Sequence, residues 1–93
     1  MRCYIAGRMR NVADLNRPAF AAAAQRLRSL GFDVYNPAAA NLEGLPLSRI
    51  MSHVLVQLCE CDAIYLIPGW WRSGGGRIEY LLARYLGLKR IHL

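Results

Sequence analysis

Ala63-Ile64-Tyr65-Leu66-Ile67-Pro68-Gly69-Trp70-Trp71-Arg72-Ser73-Gly74-Gly75-Gly76-Arg77-Ile78-Glu79 is the stretch from which the fold can be read. Its first five residues form a continuous apolar run stopped by Pro68-Gly69, the pattern of a strand buried on both faces. A glycine-rich loop follows, and then Ile78, Leu81, Leu82, Tyr85 and Leu86 recur at helical spacing until Gly87. A buried strand running directly into an amphipathic helix is half of a parallel β-α-β unit. Upstream, Leu47, Ile50, Met51, Val54, Leu55 and Leu58 fall at i, i+3, i+4, i+7, i+8 and i+11, the cleanest helical signal in the chain. At the amino terminus Cys3-Tyr4-Ile5-Ala6 is a second short apolar strand, ended by Gly7. A further helix follows it, with Asn16 as cap, Pro18 in the first turn and Phe20, Ala23, Ala24, Leu27 and Leu30 on one face. Phe32 to Tyr35 supplies the second strand of the chain, a loop with two prolines runs from Asn36 to Pro46, and Lys89 to Leu93 supplies a last short strand.

Strands alternating with helices across short loops call for right-handed crossovers, and so for an α/β fold with a parallel sheet. If the first helix covers one face and the other two cover the opposite face, the sheet is doubly wound, flavodoxin- or Rossmann-like, in strand order 2-1-3-4. Ligands in such sheets bind beyond the carboxyl ends of the strands, where the winding reverses. Here that point lies between the loop after Ala6 and the loop after Ile67.

With 93 residues the chain is expected to be a single domain, 1–93. A domain of this size buries only about 60–65% of its unfolded surface, so a partner copy covering apolar area is expected. No apolar run approaches the roughly 18 residues of a membrane span. Arg2, Arg8, Arg10, Asp14 and Arg17 interrupt any secretory core, so a cytoplasmic location is expected. Three cysteines, two of them only two residues apart, signal neither a disulfide frame nor a metal site, and no cofactor is expected. The net charge of +6 comes from eleven arginines and a single lysine against six acids. That bias favours planar recognition of phosphate or carboxylate. A nucleic-acid surface would need a basic stripe beyond the crevice, and Arg26, Arg28 and Arg84 fall on helix faces where solvation is the simpler reading, so nucleic acid is not the expected partner.

Arg8, Arg10, Arg72 and Arg77 belong to the two crevice loops. The second loop also opens a helix, whose bare amides at Gly74 to Gly76 suit an anion. Neither a Walker A loop nor a dinucleotide fingerprint is present. Glu79, in the first turn of the last helix, would be kept ionised by these arginines and the helix terminus. It suits a nucleophile toward an electron-poor sugar carbon, or else simply complements the helix dipole. Ser73 reads equally as a helix cap or a phosphate contact. Trp70 and Trp71 read as a base-stacking pair or a subunit contact. His53 and His92 have no partner that would make them catalytic.

Tyr4-Ile5-Ala6-Gly7, Asn16-Arg17-Pro18-Ala19-Phe20, Asn36-Pro37 and Cys61-Asp62-Ala63-Ile64 through Pro68-Gly69-Trp70 resemble small phage and bacterial proteins grouped with the nucleoside 2-deoxyribosyltransferases. The resemblance spans nearly the whole chain. Its sharpest element, Ser73-x-Gly75-x-x-x-Glu79, is similar to that superfamily's nucleophile motif, which implies that Glu79 attacks the anomeric carbon and forms a glycosyl-enzyme intermediate. Ser73 in place of the transferases' Asp, together with Arg10, is similar to the deoxynucleoside 5′-monophosphate N-glycosidases. It implies that Arg10 holds a phosphate. Arg8 departs from the Pro of the similar Gly-Pro-Met loop and adds a cation there, so the phosphate is expected on Gly7, Arg8, Arg10, Ser73 and Gly75, with Tyr4, Trp70 and Trp71 as candidate base or subunit contacts. The expected activity is cleavage or transfer at the N-glycosidic bond of a nucleotide or nucleoside, in a homodimer. Val54 occupies the helix position where the superfamily commonly places an Asp that assists the leaving base. It favours a rival expectation, a catalytically impaired protein that senses or sequesters a nucleotide.

Overall fold

The computed structural model describes all of residues 1–93. Four strands, β1 (Arg2–Ala6), β2 (Asp33–Tyr35), β3 (Ala63–Leu66) and β4 (Lys89–Ile91), alternate with three helices, α1 (Arg17–Ser29), α2 (Leu47–Cys59) and α3 (Gly74–Leu86). The strands pair in parallel in the order β2-β1-β3-β4. This is the expected doubly wound α/β architecture, with the winding reversing between β1 and β3. No helix is long and apolar enough to cross a membrane.

Side-chain alternation along the two central strands sorts the core into two layers. Cys3 and Ile5 of β1, with Ala63 and Ile67 of the third-strand segment, pack under Phe20, Ala23, Ala24 and Leu27 of α1. Tyr4 and Ala6, with Ile64 and Leu66, face the other way, toward Val54 and Leu58 of α2 and Ala83 of α3. Because β1 and β3 are covered on both faces, they carry hardly any polar side chains, which is why their runs read as continuous. Arg2 and Tyr65 are only half-buried, whereas Tyr4 is wholly buried on the α2–α3 face and its hydroxyl requires a partner there.

Three expectations from the sequence need correction. Gly74 to Gly76 form the first turn of α3 and are not a loop. Ser73 makes this possible by capping the helix, its Oγ accepting the Gly76 N–H at 3.1 Å. Glu79 is accordingly the sixth residue of the helix, beyond the first turn. Moreover, of the apolar stripe of α3 only Leu82 packs against the core. Gly76, Glu79 and Ala83 face the sheet, whereas Ile78, Leu81 and Tyr85 are exposed, Tyr85 to 87%. The cause is close approach at the helix start, where a Cβ on Gly76 would lie 2.7 Å from the Trp70 carbonyl oxygen. A helix seated that closely presents its small residues inward. Finally, Asn16 stands at the amino end of α1 but makes no side-chain cap. Its Nδ2 donates instead to the Arg8 carbonyl at 2.9 Å.

Candidate functional site

The loop after β1 is shaped by backbone that most residues avoid. Asn11, Asp14, Leu15 and Asn16 all have φ between 52° and 61°, a conformation that persists outside glycine only where surrounding contacts impose it. The Asn16-to-Arg8 hydrogen bond is one such contact. At the loop's start Gly7 is buried, and a Cβ there would come within 3.0 Å of the Ile67 Cβ and 3.3 Å of the Phe20 ring. Only glycine lets the two strand ends lie this close, so Gly7 helps to set the crevice width.

Between this loop, the start of α3 and the amino-terminal half of α2 lies a cleft of about 530 Å³, a size suited to a nucleotide-sized ligand. One wall carries Arg8, Arg10, Asn11, Arg72 and Ser73, with Gly74 and Gly75. From α2 come Leu47, Ile50, Met51 and Val54, with Met51 against Gly75. Glu79 and Tyr4 also line the cleft. The structure therefore brings together Tyr4, Gly7, Arg8, Arg10, Ser73, Gly75 and Glu79 from separate parts of the chain. Arg72 joins them, whereas Arg77 does not line the cleft. Trp70 and Trp71 are also outside it: Trp70 packs on Tyr80 at 4.8 Å between ring centres and Trp71 is 54% exposed. Neither indole therefore lines the cleft, although their short helical turn (Trp70–Arg72) brings Arg72 to it. No cluster of three or more His, Cys, Asp or Glu side chains is placed to hold a metal ion.

All the ion pairs of the protein use Arg2 or Arg17, with Glu60, Asp14 and Glu43 as partners. Arg8, Arg10 and Arg72 have no carboxylate of their own. Three unpaired guanidinium groups on one wall repel one another and are stabilised by a bound anion. Beside them, the Gly74 and Gly75 amides at the start of α3 have no backbone partner. Since Ser73 Oγ accepts from Gly76, its own proton is free to be donated, so the capping and phosphate-binding roles are compatible.

The acidic partner of this wall behaves differently from the sequence-based expectation. Glu79 is only 7% exposed, and burial pushes its carboxyl up to about 7, the hydrogen bond from Tyr4 acting in the lowering direction. No arginine pairs with it. At neutral pH it is poised between carboxylic acid and carboxylate, not firmly ionised. Its one partner is Tyr4, whose hydroxyl donates to Oε2. Burial, followed by the nearby carboxyl, pushes the phenol's own ionisation far up, so Tyr4 remains a donor. Full burial also removes Tyr4 from any subunit contact. The signal for its role lay in strand parity: Tyr4 and Ala6 share the face toward α3, and a phenol there could find a partner only on that helix. The α2 wall gave no such signal, because its cleft-lining residues belong to the same apolar stripe that builds the core.

Removing the Tyr4 hydroxyl tests this pairing without reference to any activity. In Tyr4→Phe the carboxyl of Glu79, followed by ¹³C NMR titration, is expected to titrate about one unit or more higher, as loss of a hydrogen bond to a charged group implies. An unchanged midpoint would show that the two groups are not coupled.

The profile of a family described as domain of unknown function, DUF4406, matches residues 1–92. No curated protein matches the chain.

Proposed function

We propose that this chain, which belongs to the DUF4406 family, binds a nucleotide in the crevice and cleaves or exchanges its N-glycosidic bond, with Glu79 as nucleophile. The observation that carries this reading is the pairing of opposites in one cleft: a single buried carboxyl oriented by Tyr4, facing a wall of arginines that no protein carboxylate neutralises. The arginines and Ser73 would take the phosphate and so fix the pentose. The anomeric carbon would then lie over Glu79, where charge developing on the sugar is stabilised by the carboxylate. The similarity of Ser73-x-Gly75-x-x-x-Glu79 to the deoxyribosyltransferase nucleophile motif supports the same assignment.

The test is a panel of nucleoside 5′-monophosphates, alkylated and unalkylated, each compared with its nucleoside by calorimetry and by chromatography of released base. Tighter binding of the phosphorylated member, with base release that is lost in Glu79→Gln, is expected. Binding without release from any member would select a second reading, a nucleotide sensor or sink, which the unbroken apolar surface around Val54 favours. Failure to distinguish phosphate from no phosphate would contradict both. Within this scheme Arg10→Ala and Arg72→Ala should each raise KM or Kd about tenfold or more, the worth of a charge-assisted hydrogen bond. The affinity for the unphosphorylated nucleoside should hardly change. Equal losses for both ligands in a Kd comparison would show that the arginines do not hold phosphate.

The outward pair Leu81 and Tyr85 supports the proposal of a homodimer, since a monomer gains nothing by exposing it. Leu81→Glu is expected to halve the mass measured by sedimentation equilibrium. An identical mass for both proteins would contradict this interface.

A further inference from the structure

Glycosidic bond cleavage through a carboxylate nucleophile ordinarily needs a second group, an acid that protonates the departing atom. Glu79 is the only carboxyl that lines the cleft, and on the proposed reading it is the nucleophile. The remaining candidates do not supply a proton. The Tyr4 hydroxyl is already donated to Glu79 itself, the Ser73 hydroxyl is assigned to the phosphate, arginine does not give up its proton, and neither histidine nor any cysteine borders the cavity. The α2 side of the cleft is emptier still. Leu47, Ile50, Met51 and Val54 offer no donor and no acceptor to a leaving group lying against α2.

We propose, resting on the reading of Glu79 as nucleophile, that the bond this site cleaves joins a pentose 5′-phosphate to a cationic heterocycle, an N-alkylated purine or a pyridinium, which leaves without taking up a proton. In the first step a carboxylate oxygen of Glu79 forms a bond to the anomeric carbon as the bond from that carbon to the ring nitrogen breaks. The electron pair stays on the nitrogen and cancels its positive charge, so a neutral heterocycle departs. Water then adds to the anomeric carbon, the ester bond to Glu79 breaks with its pair returning to the carboxylate, and the water's surplus proton goes to solvent. No acid is required in either step.

The two walls suit this charge movement. In the bound substrate the positive charge sits on a ring against aliphatic and thioether side chains, which solvate it poorly. In the transition state the charge moves onto the sugar, next to the carboxylate. An interaction that strengthens only along the reaction coordinate lowers the barrier. The arginines would face the phosphate and not the ring.

The deciding experiment measures kcat/KM for N7-methyl-2′-deoxyguanosine 5′-monophosphate and for 2′-deoxyguanosine 5′-monophosphate, with the same protein and with Glu79→Gln. A general acid is worth about a hundredfold to ten-thousandfold. A site that lacks one should therefore prefer the methylated substrate by at least about a hundredfold, with release abolished in Glu79→Gln. Comparable values for both substrates, both lost in Glu79→Gln, would overturn the inference, because the site would then be delivering a proton, while Glu79 would stand as nucleophile. Binding of both without release of either base would overturn the nucleophile reading and this inference with it.

Discussion

Glu79→Gln is expected to abolish base release while leaving nucleotide affinity within a few-fold of the parent protein. The two side chains have nearly the same shape, and the Gln amide oxygen can still accept the Tyr4 hydroxyl that now bonds Oε2. The geometry of the crevice should therefore survive. What is lost is a negatively charged oxygen able to form a bond to carbon. An amide in that position neither attacks nor balances a developing positive charge, so the loss falls on the chemical step. A drop of at least about a thousandfold in kcat corresponds to about 4 kcal/mol of barrier at 1.36 kcal/mol per factor of ten. Single-turnover chromatography against calorimetric affinity checks both halves. A variant that still released base within tenfold of the parent would remove Glu79 from the chemistry.

The same substitution should stabilise the fold at alkaline pH. Burial raises the Glu79 carboxyl from 4.5 to about 7, so between these values the folded chain holds a proton that the unfolded chain has lost. Stability is then highest below about 4.5 as far as this group is concerned, declines as pH rises through 7, and levels off above it. At about 1.36 kcal/mol per unit the decline amounts to roughly 3 kcal/mol. Gln carries no such penalty, so Glu79→Gln should be the more stable protein at pH 8, by an amount of that order, and nearly equal to the parent at pH 4.5. Urea unfolding of the two proteins at both pH values measures this. Parallel pH dependences would show that the carboxyl is not confined in the folded state. A gain in stability together with loss of turnover is the usual signature of a group whose placement serves function at the expense of the fold.

The sheet was legible because burial on both faces leaves only one kind of pattern, and Cys3 to Ala6 and Ala63 to Ile67 display it without interruption. Both the winding and the location of the crevice follow from those runs. The face of α3 was not legible in the same way. Periodicity locates an apolar stripe without saying what it touches, and here the inward side is chosen by the contact of Gly76 with the Trp70 carbonyl. Leu81 and Tyr85 face outward, and Ile78 borders the cleft. Topology placed Arg8, Arg10 and Arg72 at the crevice but not Arg77, and it could not give the protonation of Glu79, which depends on depth of burial and on a phenol 75 residues away in sequence. Trp70 and Trp71 show a related gap: aromatics adjacent in sequence to a crevice need not line it, and neither does here, although Arg72 of the same short helical turn does.

The account turns on a covalent bond between Glu79 and a sugar carbon, and that bond can be weighed. Protein mixed with N7-methyl-2′-deoxyguanosine 5′-monophosphate and quenched in acid during turnover is digested and examined by peptide mass spectrometry. The predicted result is a mass increase equal to one deoxyribosyl phosphate on the peptide containing Glu79, absent from Glu79→Gln. Base release proceeding at full rate with the adduct on another residue, or in the Glu79→Gln protein, would contradict the account.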